Sequence, residues 1–189
     1  MRSSTCGFGF FTSKVKVITT STNQIVSLVA RHDVDVGICQ TSSGDPTVRV
    51  RPIAKGRVIC AFSSQHRLAR KKEISPFDLR GENLITFPES EPTARRLADA
   101  FNTSGVKLNR SVETSQSFSA CCVAMQGSGI AIVDSFIHAK DYFPQLAVRP
   151  FTPEIEFHVD LHLSDLRTPP PLVQELCEAL IAAGKASTE

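Results

Sequence analysis

One pattern recurs along this chain and constrains its fold more than any other feature. A short β-branched run leads into a turn rich in hydroxyl side chains, and an amphipathic stretch follows. Val15-Lys16-Val17-Ile18-Thr19-Thr20 alternates and predicts a strand. Ser21-Thr22-Asn23 then offers helix N-caps, and Ile25, Leu28 and Val29 fall at helical spacing. Val34 to Cys39 predicts the next strand, which would complete a βαβ unit with parallel strands and a right-handed crossover. A second unit starts with Leu84-Ile85-Thr86-Phe87. Pro88 to Pro92 make its turn, with Ser90 as N-cap and Pro92 in the first helical turn. Ala94, Leu97, Ala98 and Phe101 follow on one helical face, and Gly105 stands where the helix should end. A third unit runs from Ser111-Val112-Glu113-Thr114 through Ser115-Gln116-Ser117. Its helical face is Phe118, Cys121, Cys122 and Met125, its C-cap Gly127, and its buried strand Ile130-Ala131-Ile132-Val133, closed by Asp134.

Between these units, Arg57 to Ser63 predicts one long strand joining two lobes, and Leu146 to Phe151 a second link. Phe157 to Leu163 alternates as a further strand. Thr168-Pro169-Pro170-Pro171 is a sharp stop before a last amphipathic helix carrying Val173, Leu176, Cys177 and Leu180. Strands alternating with helices make the class α/β, and two connections between lobes suggest a clamshell around a cleft.

A net charge of +2 without any acidic or basic tail argues against a nucleic-acid or membrane partner for this chain. The six cysteines sit in apolar runs, form no CxxC pair and read as reduced packing residues, which favours the cytoplasm. No apolar stretch is long enough for a membrane span, and Gly7-Phe8-Gly9-Phe10-Phe11 is too short and glycine-broken for a signal peptide.

Chemistry should reside in the strand-to-helix turns. Open parallel sheets bind ligands outside the carboxyl ends of their strands, where helix N-termini present free N–H groups and partial positive charge. Ser21-Thr22-Asn23, Ser90 and Ser115-Gln116-Ser117 could together hold a carboxylate, and Asp134 could accept from an amine. Each residue alone is more commonly just a cap, about four times in five by our weighing; the repetition is what raises the expectation. Other constellations are weaker. Gly127-Ser128-Gly129 is no nucleophile elbow, since glycines flank the serine directly. His32, His66, His138, His158 and His162 lack metal-pair spacing, and the last two read as surface or lobe-junction residues. Cys121 or Cys122 near a helix start could be a nucleophile, but inert packing is the stronger reading. Arg67, Arg70, Lys71 and Lys72 read as a solvated face. No catalytic residue, metal set or cofactor is expected.

Several segments resemble the effector-binding region of LysR-type bacterial transcription regulators. Ser21 to Leu28 followed by Asp33-Val34-Asp35-Val36-Gly37-Ile38 is similar to a helix leading into their "D-x-G-I" strand. Arg57 to Leu68 resembles their "p-x-x-H-p-L" crossover, and Ile74 to Gly81 the following "i-s-p-x-D-L-x-g" segment. Gln116 to Met125, then Gly127 to Asp134, resembles their "G-x-G-I-a-i-v" element. The resemblance covers residues 11 to 183. Within the family, Glu113 to Ser117 and Ile132-Val133-Asp134 look most like lysine-biosynthesis and opine-catabolism regulators.

The resemblance implies a two-lobed type 2 periplasmic-binding-protein-like fold, with mixed sheets flanked by helices. Lobe I would span 11–58 plus 150–189 and lobe II 59–149. Carried over, the family's effector contacts fall on Ser21, Thr22, Pro88, Ser90, Gln116, Ser117 and Asp134. The implied ligand is an amino acid or opine-like effector. The implied assembly is a homodimer or tetramer of an intact regulator, reaching DNA only through a winged helix-turn-helix domain that this chain lacks. The effector region's own first strand and most of its first helix are also expected to be absent, and losing a central strand would leave unpaired backbone at a sheet edge. The alternatives are a solute-binding protein of the same fold serving transport, a non-functional regulator fragment, and a Cys- or Ser-dependent hydrolase.

Overall fold

The computed structural model describes residues 14–40 and 45–186; Cys6 and the Gly7–Phe11 run lie outside them. The organising element is β2 (Val48–Ser63), a strand of 16 residues. It is the predicted inter-lobe strand, extended towards its N-terminus. Its first part, Val48 to Arg57, pairs antiparallel with β7 (Glu156–Ser164), whose other edge carries β1 (Gly37–Gln40). Its last part pairs antiparallel with β5 (Ile130–Asp134) and with β6 (Leu146–Pro150), the predicted second link. Beyond β5 lie β3 (Leu84–Thr86), parallel to it, and β4 (Arg110–Glu113), parallel to β3. The order is β1-β7-β2-β5-β3-β4, with β6 on β2, a mixed sheet as the resemblance implied.

The two-residue period of β2 builds two cores. Val58, Cys60 and Phe62 point to one face and pack with Leu97 and Phe101 of α2 (Pro92–Thr103), alongside Leu84, Ile130 and Ile132. Ile59 and Ala61 point to the other face. They pack with Ala120, Cys121 and Ala124 of α3 (Ser117–Met125) and with Ala139 of α4 (Ala139–Tyr142). Tight cysteine packing has a chemical consequence: burial pushes the Cys121 thiol up to about 11, so its thiolate is disfavoured and Cys121 is poorly suited as a nucleophile. In the other half, α5 (Pro171–Ala186) lays Cys177, Val173 and Leu180 on Ile53, Leu161 and Leu163.

The strands and helices of the second and third units form, but α3 buries Ala120, Cys121 and Ala124 rather than the expected Phe118, Cys121, Cys122 and Met125 face, leaving Phe118 and Met125 exposed. Gly105 and Gly127 adopt positive φ just past α2 and α3, as C-terminal glycines do. The first unit differs. α1 (Thr22–Ala30) is present, but residues 14–20 form no strand, and among the described residues β1 has only β7 beside it. The alternating run Val15 to Thr20 has no laddered neighbour among the described residues, and Val15 and Val17 stay 64% and 83% exposed. A strand pattern without a pairing partner cannot satisfy its backbone as a sheet.

The histidine expectation also changes. His162 is 1% exposed on β7, opposite Gly37 and Val50, and neither ring nitrogen has a hydrogen-bond partner among the described residues. Burial holds its pKa below the ordinary 6.5, with Asp160 acting weakly in the other direction. The unfolded chain therefore binds a proton near 6.5 that the folded chain resists, so stability is complete above 6.5 and falls as pH drops towards the lowered value. His162→Leu, which keeps the volume and removes the titration, should abolish that fall in urea unfolding midpoints; an undiminished fall would assign the acid sensitivity to another group.

Candidate functional site

Between the β1/β7 half and the β3/β4/β5 half lies a cavity of about 1120 Å³. At its inner end the wall is made by Thr22, Gln40, Phe87, Glu91, Ser115, Ser117, Asp134, Phe136 and Phe157. Its outer reach runs along Lys14 to Thr20 and past Ile38, Leu172 and Leu176. The volume exceeds the roughly 300–1,000 Å³ of ordinary ligand pockets because the groove along residues 14–20 is continuous with the cleft.

Aromatic side chains form one wall of the inner end. Phe157 of β7 meets Phe87, just after β3, at a ring separation of 5.8 Å, and Phe136, just after β5, at 6.2 Å. Gly56 allows this: a Cβ there would lie 2.6 Å from the Ser135 hydroxyl and 2.9 Å from the Phe136 ring.

Of the sequence candidates, the structure places Thr22, Ser117 and Asp134 on the cavity wall. Ser21, Pro88, Ser90 and Gln116 lie off it. Ser21 is the N-cap residue of α1, its hydroxyl 3.1 Å from Gln24 Oε1. Pro88 gives its carbonyl to the Glu91 N–H at 2.9 Å. Gln116 is the exposed N-cap residue of α3. Ser90 is exposed and one residue too early: α2 takes Glu91 as its N-cap residue, with Pro92 first in the helix as expected.

That one-residue shift brings in Glu91 and Gln40, which sequence reasoning missed. Glu91 makes no side-chain cap bond to its own helix. Its carboxylate crosses the cleft to α1, accepting from the Thr22 N–H at 3.1 Å and the Thr22 hydroxyl at 2.6 Å. Gln40, at the end of β1, crosses the other way. Its Oε1 accepts from the Thr93 N–H at 3.1 Å and from the Thr93 hydroxyl, while its Nε2 donates to Glu91 at 3.4 Å. Each helix thus has its N-terminus capped by a side chain from the opposite side of the cleft. These partners are 69, 51 and 53 residues apart, so no local pattern marks them.

The second hydroxyl behaves similarly. Ser117, at the start of α3, donates to the Asp134 carboxylate, which also accepts from the Phe136 N–H at 2.9 Å. The helix-start hydroxyls expected to hold a ligand carboxylate are therefore holding protein carboxylates. Burial raises the Asp134 pKa, and the bonds from Ser117 and Phe136 offset only part of that. Among the described residues, no three His, Cys, Asp or Glu side chains are disposed to hold a metal ion.

Ionising Asp134 is penalised in the folded state. Its contribution is most favourable below the ordinary 3.8 and is lost as pH rises between that value and the raised one. Asp134→Asn should remove this decline from the pH–stability curve; an identical decline in wild type and variant would show that another group is responsible.

With this geometry in view, the likeness to known proteins is informative. Residues 12–185 match the family model described as LysR substrate binding domain. Regulatory protein NocR of Agrobacterium tumefaciens (strain T37) is 31% identical over 170 residues, 89% of this chain and 56% of that protein. Transcriptional activator protein LysR of Escherichia coli (strain K12) is 33% identical over 132 residues, 69% of this chain and 42% of that protein. The chain thus spans about half the length of these relatives. Among solved structures, the effector binding domain of QuiR in complex with shikimate superposes with a TM-score of 0.74 at 15% identity, covering 88% of this chain and 79% of that one. The regulatory domain of Synechocystis PCC6803 CcmR in complex with 2-PG gives 0.75 at 16% identity, covering 91% and 84%. At such identities the superpositions speak for the fold, while the family match covers nearly the whole chain: it belongs to the LysR substrate-binding domain family.

Proposed function

We propose that this chain is the small-molecule sensor module of a LysR-type transcription regulator. Its lobes, 11–58 plus 150–189 and 59–149, would close on an amino acid or opine-like effector. One observation carries the reading: in a chain of this family, polar side chains from both sides converge on a partly aromatic cleft. Two solved relatives of the same fold carry shikimate and 2-PG, which supports a small carboxylated metabolite as the ligand type. Asp134 would accept from a ligand amine, and the first turn of α3, whose N–H groups have no partners within the helix, would face a carboxylate. In an intact regulator, a dimer or tetramer would convert effector binding into altered geometry on DNA through a separate winged helix-turn-helix domain. No helix among the described residues is long and apolar enough to cross a membrane.

The test is thermal unfolding of the chain with a panel of amino acids and opines. A ligand binding only the folded state at a hundredfold above its Kd stabilises by about 2.7 kcal/mol. Ser117→Phe should fill the cleft and abolish the shift while the variant still unfolds cooperatively. Retained affinity in that variant would place the site elsewhere.

A further inference from the structure

We infer that Glu91 is the charge filter of this cleft: at the α1 end it admits a cationic nitrogen and turns away a carboxylate. The inference rests on the sensor reading and names the chemistry of one end of the ligand. The N-terminus of α1, with its free N–H and partial positive charge, is where an anionic ligand group would be expected. The protein has placed its own carboxylate there. Glu91 is 4% exposed and its two oxygens take both the N–H and the hydroxyl of Thr22. Gln40 cannot turn to present a different group without giving up Thr93, because its carbonyl faces Thr93 and its amide faces Glu91. A ligand carboxylate would have to displace Glu91 and leave that charge buried without its donors, an expensive exchange.

The rest of the wall points the same way. Neither Glu91 nor Asp134 has a lysine or arginine within ion-pair distance among the described residues. The cationic lining side chains are Lys14 and Lys16, both exposed on the outer segment. Glu91 is felt by its neighbours: the Cys39 thiol, pushed up to about 12 chiefly by burial, is raised further by the fields of Glu91 and Asp160. A buried carboxylate facing a cavity, hydrogen-bonded but not neutralised, is completed by an amine or guanidine supplied by the ligand.

The experiment uses four probes on the whole chain, read by thermal shift and calorimetric titration. They are L-arginine, its uncharged near-isostere L-citrulline, its decarboxylated form agmatine, and the dicarboxylate glutarate. Arginine and agmatine should bind, with arginine at least about tenfold tighter than citrulline, the scale of one hydrogen bond to a charged group. Glu91→Gln, which keeps the shape and one acceptor, should erase the arginine–citrulline difference; Glu91→Ala should do the same if the amide itself perturbs the site. Binding of glutarate or citrulline to wild type without arginine or agmatine overturns the filter and leaves the sensor reading standing. So does an arginine–citrulline difference that survives undiminished in Glu91→Gln and Glu91→Ala. No shift with any probe on a cooperatively unfolding chain counts against the filter and against the proposed ligand class together.

Discussion

A single strand that changes partners midway constrains everything else here. Every buried backbone N–H and C=O on β2 needs a partner, and the strand finds them on β7 as far as Arg57 and on β5 and β6 from Val58 onward. The handover is stitched by the Val58 N–H to Ile155 at 2.9 Å and by the Phe151 N–H back to Val58 at 3.4 Å. Immediately before it, Gly56 lets the turn after β5 sit directly on the strand. That contact fixes Asp134 and Phe136 at the mouth of the crossover, facing Thr22 and Glu91 around the same cavity. The cleft is thus a consequence of where β2 exchanges neighbours.

Much of this was legible in the sequence, and the exceptions have physical causes. The apolar run in β2, the alternation in β7 and the 3.6-residue period in α2 are local signals, and each element forms, although β7 buries Asp160, His162 and Ser164 along with its apolar side. Val15 to Thr20 carries an equally clear strand signal, yet the structure leaves it out of the sheet: alternation states what a segment does once a partner lies alongside, and none of the described strands does. The site was legible where a side chain acts through its own turn. Thr22 and Ser117 at helix starts and Asp134 at the end of β5 reach the cavity. It was illegible where a side chain acts across the cleft, because Glu91 and Gln40 bond to residues more than fifty positions away. His162 failed for the same reason: its burial comes from the pairing of β7 with β1 and β2, which its neighbours in sequence do not announce.

The misplacement of the α2 cap is the most instructive of these. Ser90 is the better intrinsic N-cap, and a serine two residues before a proline invites that assignment. With Ser90 at the cap, Glu91 would enter the first turn as an ordinary acidic residue near a helix dipole. With Glu91 at the cap in an extended conformation, φ −82° and ψ 138°, and its side chain not bonded to its own helix, the carboxylate is free to leave. α2 then relies on Gln40 for an acceptor at Thr93, and α1 relies on Glu91 for one at Thr22. α2 has no local side-chain cap and takes one from across the cleft, while α1 receives Glu91 in addition to its own Ser21–Gln24 capping box.

Reciprocal capping couples two properties that are usually separate. Helix N-termini leave backbone donors that must be met by side chain, water or ligand. Here, moving the two halves apart would strip acceptors from Thr22 and Thr93 together and release a carboxylate and an amide into the opening. The closed arrangement is therefore held by the same groups that would greet a ligand. A ligand that leaves the Thr22–Glu91 and Gln40–Thr93 bonds intact, adding its own contact to the remaining carboxylate lone pairs, binds at no cost to closure. One that must replace them pays for opening before it gains anything. Differential affinity for open and closed states is the quantity by which a ligand shifts such an equilibrium, so the chemistry recognised at Glu91 and the conformation stabilised by binding are set by one pair of side chains.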